Sequence, residues 1–467
     1  MISPPMTIAD AAAALRAGEI TSTELTTAML AHADELDPVL GTYLFRTDAA
    51  ALAAAAQADA DLAAGRDLGP LHGIPLAVKD ILATADAPTT AQSLILDPAW
   101  GAQAEAPAVT RLRAAGAVLT GKTSTMEFAI GLPDPDKPFP VPRNPWLTST
   151  WAGGSSSGTA NGVAAGMFFG GIGTDTGGSI RMPSALCGIT GLKPTWGRVP
   201  KSGCVPLASS LDHVGPIARS AHDCALLLNA MAGHDRTDPL SAEVAVPDYT
   251  SALGGTLEGV RIGVERDHHT RAPFVDPSAA ARFEEAVEVL SKAGADVVEI
   301  SMTLWDAVNE ATIVTTFAEA FTYHRTNLAA RWEDYGRFTR AMVATGAFYS
   351  ASDYVQAQRA RQAGRVEVLR LLADVDVIAC LTVGAGAPTV EGLDFGSTLL
   401  LPVFTAVWDG LGFPAMSVPI GLTDAGLPVG MQLCAGPWEE GKVLAAGHAF
   451  QQVSDWHLAT PPLPVGG

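Results

Sequence analysis

The sequence predicts an α/β fold, and three observations carry that reading. Of the 467 residues, 48% are hydrophobic and only 17% charged, the composition of a globular chain with a large core rather than a disordered one. Short apolar runs of strand length, such as residues 74–78, 260–264 and 376–382, alternate with longer stretches of helical pattern, as in a sheet layered against helices. Finally, the Gly/Ser-rich residues 153–183 (GGSSSGTANGVAAGMFFGGIGTDTGGSIRMP) contain Val163, Met167, Phe168, Phe169 and Ile172, apolar residues that a flexible linker lacks. Length alone gives a prior of about three domains.

Residues 6–65 read as helical. Thr21 and Glu24 form a capping-box pair ahead of Leu25, Ala28 and Met29, and the alanine-rich run 49–64 continues the pattern. In GPLHGIPLAVKD (69–80), the apolar run 74–78 ends in Lys79 and Asp80. A buried strand that delivers a lysine into the interior suits a base, because burial disfavours the ammonium form. Residues 116–123, GAVLTGKT, fit the GxxxxGK(S/T) pattern of a phosphate-binding loop. Such a loop needs a strand before the first glycine and a helix after the lysine. Here 109–115 reads as a helix and the strand residues 117–119 lie inside the motif, the wrong conformation to cradle phosphate. Residues 131–150 are proline-dense and read as irregular, a substrate-facing wall that Phe139 and Trp146 would line unless they pack in the core.

Residues 153–183 read as a Gly/Ser turn, a helix over 160–167, a strand over 168–172 and a second Gly/Ser turn. Ser155 and Ser179 stand at the two turns. Glycine allows close backbone approach and unusual φ values. A serine beside Gly-Gly can therefore sit among exposed N–H groups, which an oxyanion hole requires. Further on, 260–264 and 294–300 read as strands, 283–290 as a helix and 304–373 as mostly helical, with aromatics at helical spacing. A buried strand over 376–382 and a last helix over 440–451 follow.

The formal net charge of −20, with no dense Lys/Arg cluster, argues against a nucleic-acid binder. Residues 359–370, the most basic stretch, read as one solvated helix face. Cys187, Cys204, Cys224, Cys380 and Cys434 form no CxxC and read as buried, reduced thiols of a cytoplasmic protein. The ten histidines are scattered with no HxxxH spacing, so no metal is expected. Asp10, Arg16 and Glu19 interrupt the N-terminal stretch, which does not read as a secretory signal. The most apolar segments carry Gly, Pro or charge well before 18 residues, so no membrane span is expected.

The 153–183 stretch resembles the signature of the amidase signature hydrolases: their GGSSGGS block, then their GTDTGGSIR-P block. The resemblance extends to GIP-x-x-VKD at 73–80, a Thr-Thr-x-x-Ser turn at Thr89, Thr90 and Ser93, GAVL-x-GKT at 116–123, Glu127-Phe128-Ala129, and Arg143-Asn144-Pro145-Trp146. It continues through 188–200, 211–216, 412–421 and 426–432, the last two being similar to the family's closing strands. Running from about Leu15 to Phe450, it implies one domain over 1–467 instead of three. Its parts would be a helical segment over about 1–65, a catalytic core over about 66–240, a variable helical region over about 300–375 that shapes the substrate pocket, and closing strands with a last helix over about 376–452. The implied fold is a mixed β-sheet flanked by helices on both faces. One departure stands out: Leu381-Thr382 replaces the Pro-Thr usual in the family.

The resemblance implies a catalytic triad of Lys79, Ser155 and Ser179, with a cis peptide bond before Ser155 and Ser179 as nucleophile. Lys79 would accept a proton through the Ser155 hydroxyl, Ser179 would attack the carbonyl, and water would resolve the acyl-enzyme. Backbone N–H groups from Thr176, Gly177 and Gly178 through Ser179 would hold the oxyanion. Ser156, Asp175 and Arg181 would brace the site, Asp80 would support structure, and His213 would take no catalytic part. No cofactor is implied. The expected reaction is hydrolysis of a small or aryl amide, with carbamates and esters sharing its tetrahedral chemistry. The expected partner is that small molecule, with no nucleic acid and no membrane, on a monomer or homodimer. Two alternatives stay open: a glutaminase subunit of a tRNA-dependent amidotransferase, and a non-catalytic binding protein with this fold.

Overall fold

The computed structural model describes residues 6–463 apart from 103, 395 and 397–399. The first five residues of the N-terminal stretch read above lie outside it.

The chain opens with α1 (Ile8–Ala17), α2 (Ser22–Leu40) and α3 (Asp48–Ala63). The capping box at Thr21 and Glu24 is formed. The all-helical expectation for 6–65 misses strand β1 (Tyr43–Arg46), set between α2 and α3. Gly41, at φ 60°, ends α2, Asp37 accepts from the Thr42 and Tyr43 N–H groups, and the freed residues pair with a neighbouring strand. Next come β2 (Pro75–Lys79), α4 (Pro107–Ala114) and β3 (Val118–Thr123). Strand β3 pairs with β1 and continues through Gly121, Lys122 and Thr123. A side chain at Gly121 would overlap the Phe45 carbonyl, so this glycine serves strand contact and not phosphate binding. Residues 131–150, read as irregular, end in a hairpin of β4 (Arg143–Asn144) and β5 (Leu147–Trp151), whose turn is braced by the Trp146 N–H donating to Asn144 Oδ1.

Helix α5 (Ser157–Ala165) and strand β6 (Gly170–Asp175) follow. The strand begins and ends later than the 168–172 expected, because glycines that propensity counts against strands lie between two paired neighbours. Then come α6 (Arg181–Cys187), β7 (Thr190–Lys193), β8 (His213–Ala218) and α7 (Ala221–Met231). The C-terminal half contains β9 (Arg261–Glu265), α8 (Pro277–Lys292), β10 (Asp296–Ile300), α9 (Trp305–Ala330), α10 (Arg337–Thr345) and α11 (Ala351–Asp374). It ends with β11 (Val377–Leu381), α12 (Ala406–Leu411), β12 (Ala415–Leu422), β13 (Pro428–Cys434) and α13 (Glu440–Gln452).

Eleven strands form one mixed sheet in the order β1-β3-β2-β6-β8-β7-β12-β13-β11-β9-β10. The pairs β3–β2, β2–β6, β11–β9 and β9–β10 are parallel and the rest antiparallel. Helices cover both faces. Leu76 and Val78 join a core with Leu227 of α7 and Phe283 of α8, while Ala77 between them joins a core with Ala160 and Val163 of α5, as strand alternation requires. Adjacent β2 and β6 bring Lys79 and the 176–179 turn to the same end of the sheet.

Candidate active site

Strand β2 is buried along its whole length and ends at Lys79, which is fully buried. Lys79 Nζ meets three hydroxyls: Ser155 Oγ at 2.5 Å, Thr174 Oγ1 at 2.7 Å and Ser156 Oγ at 3.1 Å. Ser155 stands in the turn before α5, and Thr174 lies on β6. Burial, the largest influence, pulls the lysine down to about 7, against the pull of Cys204, Asp175 and Asp212. Ser156 Oγ donates to the Thr174 carbonyl (3.1 Å) and accepts from the Thr174 N–H (3.2 Å).

Ser179 lies in the turn joining β6 to α6. Its carbonyl accepts the Ser156 N–H at 3.1 Å, which fastens the two serine turns together. Ser155 is fully buried, whereas Ser179 is partly open and Gly177 is exposed. The structure thus brings together the lysine and both serine turns, with the candidate nucleophile reachable and the candidate base dry.

The turn is braced from behind by Asp175 and Arg181. Asp175 Oδ1 accepts the Gly178 N–H at 2.6 Å, and Oδ2 accepts those of Ile180 (3.1 Å) and Arg181 (3.3 Å). The Arg181 guanidinium donates to both Asp175 oxygens at 3.0 Å. Burial alone would push the Asp175 carboxyl up; Arg181 beside it holds it well below the usual carboxylate range. Arg181 also reaches Asp409 Oδ2 (2.5 Å), the Thr405 carbonyl (2.9 Å) and Gln432 Oε1 (3.1 Å). Gly178, expected among the oxyanion donors, therefore directs its N–H to Asp175. The N–H groups of Thr176, Gly177 and Ser179 have no acceptor among the described residues.

His213 sits behind this turn, buried, with Nε2 3.3 Å from Lys193 Nζ and Nδ1 3.3 Å from the Asp175 carbonyl. Burial, aided by Lys193, pushes it well below its usual range, and it contacts neither candidate serine. Asp80 points away from the serines: it accepts the Thr90 N–H (3.0 Å) and hydroxyl (2.5 Å) and meets Lys122 at 2.8 Å. Ser93 donates to Glu127 at 2.6 Å.

Sequence reasoning missed Thr174, Asp212, Thr405, Asp409 and Gln432. Thr174 lies inside the quoted GTDTGGS block, so a signal was present. Asp212, which accepts the Thr176 hydroxyl at 2.6 Å, lay in a matched segment. Gln432 also closes a matched segment, 426–432; Thr405 and Asp409 had no local signal.

A cavity of about 930 Å³ lies beside this site, lined by Trp196, Leu207, Phe321, Tyr323, Tyr349 and Tyr354 among others. The segment 204–212 forms its near wall and also touches the site. The Val205 N–H donates to the Ile81 carbonyl (2.8 Å), close after Lys79, and Asp212 holds Thr176. Glu319 is the one charged residue among the described lining residues; it accepts from the Ser210 hydroxyl (2.5 Å) and the Tyr354 hydroxyl (2.8 Å). Among the described residues, no cluster of His, Cys, Asp and Glu is arranged to hold a metal ion, and no helix is long and apolar enough to cross a membrane.

The chain is similar to several known proteins. AmiD of Mycobacterium tuberculosis, a putative amidase, is 40% identical over 457 residues, spanning 96% of this chain and 94% of that protein. A glutamyl-tRNA(Gln) amidotransferase subunit of Methylococcus capsulatus is 40% identical over 486 residues, spanning 97% of this chain and 98% of that protein. The crystal structure of the peptide amidase from Stenotrophomonas maltophilia superposes with a TM-score of 0.85 at 31% identity, covering 99% of each chain. The family model described as Amidase matches residues 24–444, and the chain belongs to that family.

Proposed function

We propose that this protein hydrolyses the carbon–nitrogen bond of a small or aryl amide through an acyl-enzyme on Ser179, with Ser155 and Lys79 as the proton relay. The observation that carries the reading is the 2.5 Å contact between Lys79 Nζ and Ser155 Oγ, made by an amine that burial brings to about 7. A neutral amine offers two N–H donors and one lone pair. The Ser156 proton is committed to the Thr174 carbonyl, so the amine donates to Ser156. With its other N–H on Thr174, its lone pair faces the Ser155 hydroxyl. Ser155 can then pass its proton to Lys79 while taking the one from Ser179, and later return a proton to the leaving nitrogen. The Ser179 oxygen bonds to the carbonyl carbon, the carbon–nitrogen bond breaks to release the amine, and water reverses the sequence to free the acid.

The aromatic lining of the neighbouring cavity supports an apolar or aryl portion on the substrate. Aryl carbamates and esters fit the same chemistry. The similarity to the amidotransferase protein supports a second reading, glutamine hydrolysis within a larger assembly. In the cavity, the α-carboxylate of glutamine would meet Glu319 and no lining cation among the described residues, which favours the first.

The test is hydrolysis of acyl p-nitroanilides, a nitrophenyl carbamate, simple primary amides and glutamine, with Ser179→Ala and Lys79→Ala in parallel. Turnover of anilides or the carbamate, lost in both variants, is expected. Turnover of glutamine alone moves the assignment to the glutaminase reading. Activity surviving Ser179→Ala overturns the mechanism, and failure of an alkyl fluorophosphonate to label the protein returns the weight to a binding protein.

A further inference from the structure

The Gly177 carbonyl and the Gly178 N–H belong to one peptide unit, and both ends of it are held. Thr405 Oγ1 donates to the Gly177 carbonyl at 2.6 Å, while the Gly178 N–H donates to Asp175 Oδ1 at 2.6 Å. In a planar trans peptide these two groups point in opposite directions, so the two contacts together fix the plane. The fit is close. Gly178 has φ +131°, and a side chain there would overlap the Thr405 hydroxyl. The N–H groups of the two adjoining peptides, Gly177 and Ser179, have no acceptor among the described residues.

Thr405 is itself held by contacts that do not involve its hydroxyl. Its carbonyl accepts from Arg181 at 2.9 Å, and the preceding Phe404 carbonyl accepts from Gln432 Nε2 at 2.8 Å. The Phe404 N–H donates to the Thr382 carbonyl at 3.1 Å. The hydroxyl is therefore presented to the turn from a fixed backbone.

We propose that Thr405 is a positioning residue for the oxyanion hole: its hydroxyl clamps the Gly177–Gly178 peptide so that the flanking N–H groups of Gly177 and Ser179 face the carbonyl oxygen of the substrate. A rotation of the clamped peptide would turn both neighbours, and donors aimed away from the developing charge lose most of their effect. This rests on the proposed role of Ser179.

The experiment compares Thr405→Val, which keeps the shape and removes the hydroxyl, with Thr405→Ser, which restores it. The readouts are the rate of Ser179 labelling by an alkyl fluorophosphonate, hydrolysis of a p-nitrophenyl ester, and inhibition by a trifluoromethyl ketone that forms a tetrahedral adduct. Thr405→Val is expected to lower kcat and labelling about 10- to 100-fold, a fraction of the effect of deleting an oxyanion donor. Affinity for the ketone should fall in parallel while KM stays within about twofold. Thr405→Ser should recover most of the activity, with the melting temperature of both variants near that of the parent. Unchanged kcat in Thr405→Val, equal loss in both variants, or loss that tracks a lowered melting temperature overturns the inference while leaving Ser179 as nucleophile. A parent protein that neither labels nor turns over the ester overturns both.

Discussion

Asp80 and Lys122 meet at 2.8 Å with neither side chain open to solvent. Lys122 also donates to Thr89 Oγ1 at 2.7 Å. The pair lies directly beyond Lys79 and fastens β3 to the loop after β2, so it helps to set where the candidate base ends. Breaking one partner of a buried pair leaves the other charge uncompensated and costs about 3–5 kcal/mol. Asp80→Asn is expected to lower the free energy of urea unfolding by about that amount, and adding Lys122→Met should recover most of it. An unfolding curve for Asp80→Asn that coincides with the parent's would refute a structural role for the pair.

In the proposed mechanism, the depressed lysine makes the reaction pH-dependent in a defined direction. Lys79 must be neutral to accept a proton, and it loses its own near 7. The value of kcat/KM should therefore rise tenfold per pH unit below about 7 and level off above it, until other groups titrate. A profile that falls through this range contradicts the assignment of Lys79 as base.

The same shift has a consequence for stability. Between about 7 and the ordinary value of 10.5, folded Lys79 is neutral while the unfolded chain still binds its proton. Folding then releases a proton, so the Lys79 contribution to stability rises with pH across that window. Lys79→Met lacks this dependence. Its melting temperature should exceed the parent's most at pH 7 and below, with the gap closing toward pH 10.

Gly178→Ala introduces a side chain where Thr405 stands, at a φ of +131° that L-residues seldom adopt. Activity should fall by at least about 100-fold, on the scale of losing an oxyanion donor. Far-ultraviolet circular dichroism should still report a folded protein, since the displacement is confined to one turn. Retained kcat would show that the turn tolerates a different path.

Ala318 lines the cavity on α9. Ala318→Phe should lower kcat/KM for aryl amides about tenfold and leave simple primary amides within about twofold, the range that pocket volume commonly commands. Equal effects on both substrate types would place the aryl group elsewhere.

Lys79, Ser155 and Ser179 were singled out by short local motifs and by the resemblance of those motifs to the family's. Lys79 closes an apolar run, and Ser155 and Ser179 sit in glycine turns whose residues are neighbours in the chain. The clamp on the turn was not readable. Thr405 lies 228 residues from the carbonyl it holds, and Gln432 lies 251 residues from Arg181, so nothing in the sequence around either one marks the contact. Strand β1 escaped for a similar reason. Four residues between two helices show no period, and only pairing with β3 makes them a strand. In β6 the opposite happened: pairing on both sides overrode the turn preference of its glycines.

Arg181 ties the 176–179 turn to residues 405, 409 and 432, all made long after the turn itself leaves the ribosome. A growing or truncated chain that holds Ser179 but lacks these partners has a guanidinium with too few acceptors to be buried. The turn then lacks the brace that gives it its shape. On the proposed mechanism, hydrolytic competence is therefore expected only once the last strands are made.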